Sequence, residues 1–124
     1  MIFGAHFLLY SKEAEADRAF LREVLGFSSV DAGGGWPIFA LPPGEIAVHP
    51  SGAKSPARTE DGMAAAALYF MCDDLEATMN SMEAKQARFT KVEEAPWGRV
   101  TSFKLPSGAE VGLYQPKHKT AFKR

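Results

Sequence analysis

Leu41-Pro-Pro-Gly-Glu-Ile-Ala-Val-His-Pro50 and Leu105-Pro-Ser-Gly-Ala-Glu-Val-Gly-Leu-Tyr-Gln-Pro116 are two copies of one phrase. With Ala109 as an insertion, Leu41, Pro42, Gly44, Glu45, Ile46, Ala47, Val48 and His49 align with Leu105, Pro106, Gly108, Glu110, Val111, Gly112, Leu113 and Tyr114. Each copy is a turn followed by an alternating strand. Trp36 precedes the first copy and Trp97 the second. A repeat near half the chain length signals two copies of one supersecondary unit. Such a unit cannot bury its apolar face alone, so the copies must pack together.

Working outward from the first copy, Ile2–Tyr10 is apolar throughout, as a strand buried on both faces would be. Ser11 is a candidate helix cap, with Glu13 and Glu15 near the positive end. Ala16, Phe20, Leu21, Val24 and Leu25 recur at helical spacing, and Gly26 stops the helix. Strands are expected around Ser28–Asp31, Trp36–Leu41 and Glu45–His49, punctuated by Gly33-Gly34-Gly35 and Pro42-Pro43-Gly44. The module reads βαβββ.

The second half repeats the order. Ala64–Cys72 is the apolar strand, Asp73 with Glu76 forms a capping box, and Leu75, Met79 and Met82 give the helix its stripe. Strands are expected near Ala87–Val92, Trp97–Leu105 and Glu110–Gln115. A shift of 61 residues carries Trp36 onto Trp97 and His6 onto Ala67. The fold class is therefore α+β, one domain over residues 1–118. Module 1 covers about 1–50, a Pro/Ser/Gly linker 51–63, and module 2 about 64–117, with a basic tail at 119–124.

Bulk composition narrows the partners. With 124 residues, 46% of them hydrophobic, the chain suffices for one core. A net charge of −1 gives no electrostatic footprint for nucleic acid or an anionic membrane. One cysteine excludes an internal disulfide and suits a reducing cytoplasm. The first residues lack a basic n-region, so neither signal peptide nor membrane span is expected. No P-loop, dinucleotide fingerprint or Ser-His-Asp order occurs, and no helix pattern follows Gly33-Gly34-Gly35 to make it a phosphate cradle.

Two βαβββ modules, His6 in the first strand, Leu25-Gly26-Phe27 closing the first helix and a Pro-Ser-Gly turn into the last strand resemble the vicinal oxygen chelate superfamily. This group includes glyoxalase I, extradiol dioxygenases, and fosfomycin and bleomycin resistance proteins. The resemblance spans about Ile2 to Pro116 and implies a curled mixed sheet with an open cup, the glyoxalase/bleomycin resistance-like fold. It also implies metal ligands on the first and last strands of each module in the metal-dependent members. Carried over one position at a time, the ligand places fall on His6, Ala47, Ala67 and Gly112. Three of the four cannot ligate, and one imidazole does not hold a divalent ion against water. No cofactor is therefore expected. A displaced set of His6, His49 and Glu110, each one pleat step from the usual place, is the metal-binding alternative.

The expected site follows from strand parity. His6, Leu8, Tyr10, His49, Tyr69, Met71 and Tyr114 share the face of the family's ligand positions, while Phe7, Leu9, Phe70 and Cys72 face the helices. Such a lining is apolar with a few polar tips, suited to a small aromatic or amphipathic molecule. The expected function is metal-independent small-molecule binding, like the bleomycin resistance branch. The alternative is a glyoxalase- or dioxygenase-like enzyme, a lyase or oxidoreductase, using the displaced metal or His6 or His49 as general base. Uncovered sheet edges and apolar faces point to a homodimer.

Overall fold

The computed structural model describes residues 6–122. Two helices and six strands alternate in an α+β arrangement whose sheets do not close. The second module holds most of the order. Its strands β3 (Tyr69–Met71), β4 (Glu93–Ala95), β5 (Gly98–Lys104) and β6 (Glu110–Pro116) form one sheet in the order β3-β6-β5-β4. β3 runs parallel to β6, and the other pairs are antiparallel. The first module contributes a hairpin of β1 (Ser29–Asp31) and β2 (Pro37–Phe39). The glycine run between them takes positive φ at Gly33, Gly34 and Gly35, and the Asp31 carboxylate accepts from the Gly33 N–H at 2.7 Å.

Helix α1 spans Ala14–Glu23 and starts later than Ser11 implies. Ser11 Oγ accepts from the Glu13 N–H at 2.9 Å, turning the chain just before the helix instead of capping it. Gly26, at φ 74°, ends it, and the Phe27 N–H closes onto the Leu21 carbonyl at 3.0 Å. Helix α2 spans Leu75–Glu83. Its cap is Asp74, not Asp73: the Asp74 carboxylate accepts from the Ala77 N–H at 3.1 Å. Leu75 decides this register, because it is wholly buried at the first helical position and its N–H donates to Gln115 Oε1 at 2.8 Å.

Both helices contribute to one core with the second-module sheet. Leu75, Met82, Ala87, Phe103, Leu105, Val111 and Leu113 form its buried centre, and Phe20 of α1, with Val24 and Leu25 just after the helix, packs against it. The Phe20 and Phe103 rings stack at 5.8 Å between centroids. Asp17, buried on α1, accepts from both the backbone N–H (3.0 Å) and the hydroxyl (2.7 Å) of Ser107. The helix of the first module is thus fastened to the Pro106-Ser107-Gly108 turn of the second.

Three strand expectations need correction. Residues 6–10 and 45–49 belong to no strand, and the rest of Ile2–Tyr10 lies outside the described residues. Tyr10 is 84% exposed, Ile46 90% and Val48 92%. Their apolar side chains have no layer to pack on, since the stripe of α1 is spent on the second module. The strand expected at Ala87–Val92 sits at Glu93–Ala95 instead, with Phe89 making a single bridge to Phe103. Ala95 pairs with Gly98, so Pro96 and Trp97 form a tight turn and Trp97 does not open a strand. No helix among the described residues is long and apolar enough to cross a membrane.

Candidate functional site

The face of the second-module sheet opposite the core is built in cross-strand rows. The register puts Tyr69, Gly112 and Ser102 side by side, and Met71, Tyr114, Val100 and Glu93 beside one another in the next row. Directly paired residues point to the same side. Leu113 and Val111 point the other way into the core, and Leu68, Phe70 and Cys72 pack against it. Phe70 meets Phe27 edge-on at 5.1 Å. Tyr69 and Tyr114 are therefore on the open face.

Two glycines make this face an aromatic floor. The Tyr69 ring lies directly over Gly112, where a Cβ would overlap the ring carbons Cγ, Cδ1 and Cε1. Gly98 leaves room for the Tyr114 ring in the same way. The Tyr114 hydroxyl donates to the Trp97 carbonyl at 3.1 Å, and the Trp97 and Tyr114 rings meet edge-to-face at 5.6 Å. Burial pushes the Tyr114 phenol above its ordinary pKa, and the nearby Glu45 carboxylate adds to the shift. Tyr69 and Trp97 remain about half exposed, at 52% and 51%.

The C-terminal segment borders this floor. His118 tilts against Tyr114 at 5.7 Å, and its Nε2 lies 3.7 Å from Glu45 Oε2. Glu45 Oε1 accepts from the Ala121 N–H at 2.9 Å. The sequence places Glu45 in an expected strand and only Ala121 in the basic tail, and nothing local marks a contact between residues so distant along the chain.

Of the expected site residues, the structure gathers Tyr69, Met71 and Tyr114 on one face. His6, Leu8, Tyr10 and His49 lie exposed on segments outside any strand. Among the described residues, no three of His, Cys, Asp and Glu are close enough to hold a metal. Glu110 instead accepts from the Ser102 hydroxyl at 2.8 Å. Cys72 faces the helix layer. Burial raises its thiol pKa, with Asp74 adding and Thr78 opposing, so it is a poor nucleophile. Two hollows lie elsewhere: about 240 Å³ between α1 and the β1–β2 hairpin, and about 370 Å³ between the helices at Leu25 and Met82. Neither reaches Tyr69 or Tyr114.

A family profile for the glyoxalase/bleomycin resistance protein/dioxygenase superfamily matches residues 5–113. The chain belongs to this superfamily. Among solved structures, it is similar to TnmS3, an antibiotic-binding protein from Streptomyces sp. CB03234, with 21% identity and a TM-score of 0.62. That match covers 94% of this chain and 99% of the other. It is also similar to lactoylglutathione lyase from Agrobacterium tumefaciens, with 20% identity, a TM-score of 0.58 and coverage of 86% and 88%. FosX, a fosfomycin resistance protein from Listeria monocytogenes, gives 15% identity, a TM-score of 0.58 and coverage of 94% and 96%. At these identities the likeness shows the fold alone. No curated protein matches the chain by sequence.

The metal of the superfamily's metal-dependent members does not fit the residues present. Ala47 and Ala67 carry no donor atom. Gly112, the fourth place that the resemblance implies for a ligand, is covered by the Tyr69 ring.

Proposed function

We propose that this superfamily member binds a small aromatic or amphipathic molecule without a metal, and that it does so as a homodimer. The observation that carries the reading is the Tyr69 ring seated on Gly112. Where a metal-dependent relative needs a carboxylate, this chain has a stacking surface continuous with Tyr114 and Trp97. TnmS3, an antibiotic-binding protein of similar fold, binds a small molecule as well.

In this proposal a second copy supplies the missing wall. The repeat pairs Leu8 with Ala47 and Tyr10 with His49, as Tyr69 pairs with Gly112 and Met71 with Tyr114. His6, Leu8, Tyr10 and His49 then stand opposite Tyr69, Met71 and Tyr114. His6 hydrogen-bonds the guest in place of chelating a metal. The edge of β3 supports the arrangement. The Leu68 carbonyl and Cys72 N–H bond toward β6, so the backbone groups of Tyr69 and Met71 face the open side. The single thiol suits a reducing cytoplasm.

Titration of a Trp36→Phe background with a planar aromatic compound, read by Trp97 fluorescence, tests binding. His6→Ala should weaken it and leave the circular dichroism unchanged. About one tightly held ion per chain, in protein purified without chelator and lost on His6→Ala, would overturn the reading in favour of the metal-using enzyme.

A further inference from the structure

The row Met71, Tyr114, Val100, Glu93 carries one charge. The other carboxylate on this face, Glu110, is engaged by the Ser102 hydroxyl and stands directly opposite Lys104. Glu93 has neither a hydrogen-bonding nor an ionic side-chain partner among the described residues, and it is exposed. The neighbouring Glu94 points to the other side. There it pairs with Arg99 Nε at 2.5 Å and Lys117 Nζ at 3.3 Å, while Arg99 also reaches Glu76 at 3.3 Å. Arg99 of β5 and Lys117 are thereby engaged behind the sheet. Glu93, which forms no ion pair with the exposed Lys91 two residues earlier, keeps its negative charge at the rim of an aromatic floor.

We infer that the guest of this face is a planar aromatic cation, its ring on Tyr114 and Trp97 and its positive group toward Glu93. This rests on the binding reading above and narrows it to a charge class. Two strand spacings separate Tyr114 from Glu93, about 10 Å, the span of a two- or three-ring system. The electron-rich faces of Tyr114 and Trp97 also favour a cation over an anion of the same shape. Glu45, near Tyr114, adds negative charge on that side, though it is engaged by His118 and the Ala121 N–H.

Two dyes of similar size and opposite charge separate the outcomes: proflavine, a planar cation, and anilinonaphthalene sulfonate, an anion. At low ionic strength the wild-type protein should bind proflavine the more tightly. Glu93→Gln should weaken proflavine roughly three- to tenfold without weakening the sulfonate. Raising the salt should shrink the wild-type preference. Tyr114→Ala should weaken both dyes. If the sulfonate binds as well as proflavine, or Glu93→Gln leaves proflavine unchanged, the charge assignment fails and the binding reading stands. If neither dye binds, both are overturned.

Discussion

The Tyr69 ring occupies the space where a side chain would begin on Gly112, its directly paired neighbour across the parallel β3–β6 ladder. Even one methyl group at Gly112 must displace the root of the ring, which a rotation of the ring tip cannot relieve. Gly112→Ala should therefore cost about 1–3 kcal/mol in urea unfolding. Adding Tyr69→Ala should recover part of that cost, because the two positions are coupled through one contact. Additive losses would show that the ring does not hold this place in solution.

The Asp17–Ser107 contact makes a different kind of claim, about how the modules are joined. A buried carboxylate accepts two hydrogen bonds from one turn residue, 90 positions along the chain. Asp17→Ala strands the Ser107 N–H and should cost about 1–3 kcal/mol. Ser107→Ala removes only the hydroxyl bond and should cost less. A larger drop in urea midpoint for Ser107→Ala than for Asp17→Ala would contradict the geometry.

What the sequence told, and what it withheld, divides along the same lines. Tyr69 and Phe70 fall on opposite faces because strand alternation is local and survives any tertiary context. Leu75 and Met82 fall in the core for a similar reason, helical spacing. The strands at 6–10 and 45–49 were equally legible as apolar runs, yet a run becomes a strand only where an edge and a covering layer exist. Asp73 and Asp74 are indistinguishable as caps until the burial of Leu75 fixes the helix register. Glu93 is not legible in the sequence: the apolar pattern points to a strand at 87–92, and the position of Glu93 depends on three cross-strand pairings that no local pattern encodes.

Tyr114 and Glu94 set opposite pH limits. An unfolded tyrosine ionises near pH 10, and burial holds the Tyr114 phenol above that. Above pH 10 the unfolded chain releases this proton while the folded one keeps it. Stability is thus intact below that value and falls as pH rises through the folded pKa. Glu94 is depressed, chiefly by its hydrogen bond to Arg99, so its contribution is present above the ordinary glutamate range and lost as pH falls below it. Alkaline titration of phenolate absorbance should show the highest of the tyrosine steps vanish in Tyr114→Phe. Persistence of that step would refute the assignment to Tyr114.

The exposed segments offer the sharpest test of assembly. Ile46 and Val48 present nearly their whole side chains to water on a segment whose repeat partner, Val111–Leu113, is buried. A few such residues are tolerable, but a strand-length pair of apolar runs beside an open sheet edge calls for a partner surface. Exchange between two copies is reciprocal under a two-fold axis, so both edges close at once and no filament forms. Sedimentation at micromolar concentration should give about twice the 13.5 kDa chain mass. Amides at 6–10 and 45–49 should be protected from hydrogen exchange, and the protection should fall on dilution. Ile46→Lys combined with Val48→Glu should shift the protein to monomer while leaving the second-module core protected, because the core around Phe103, Leu75 and Leu113 includes no residue of either segment. A wild-type monomer with freely exchanging amides in both segments would refute the dimer, and with it the two-copy cup.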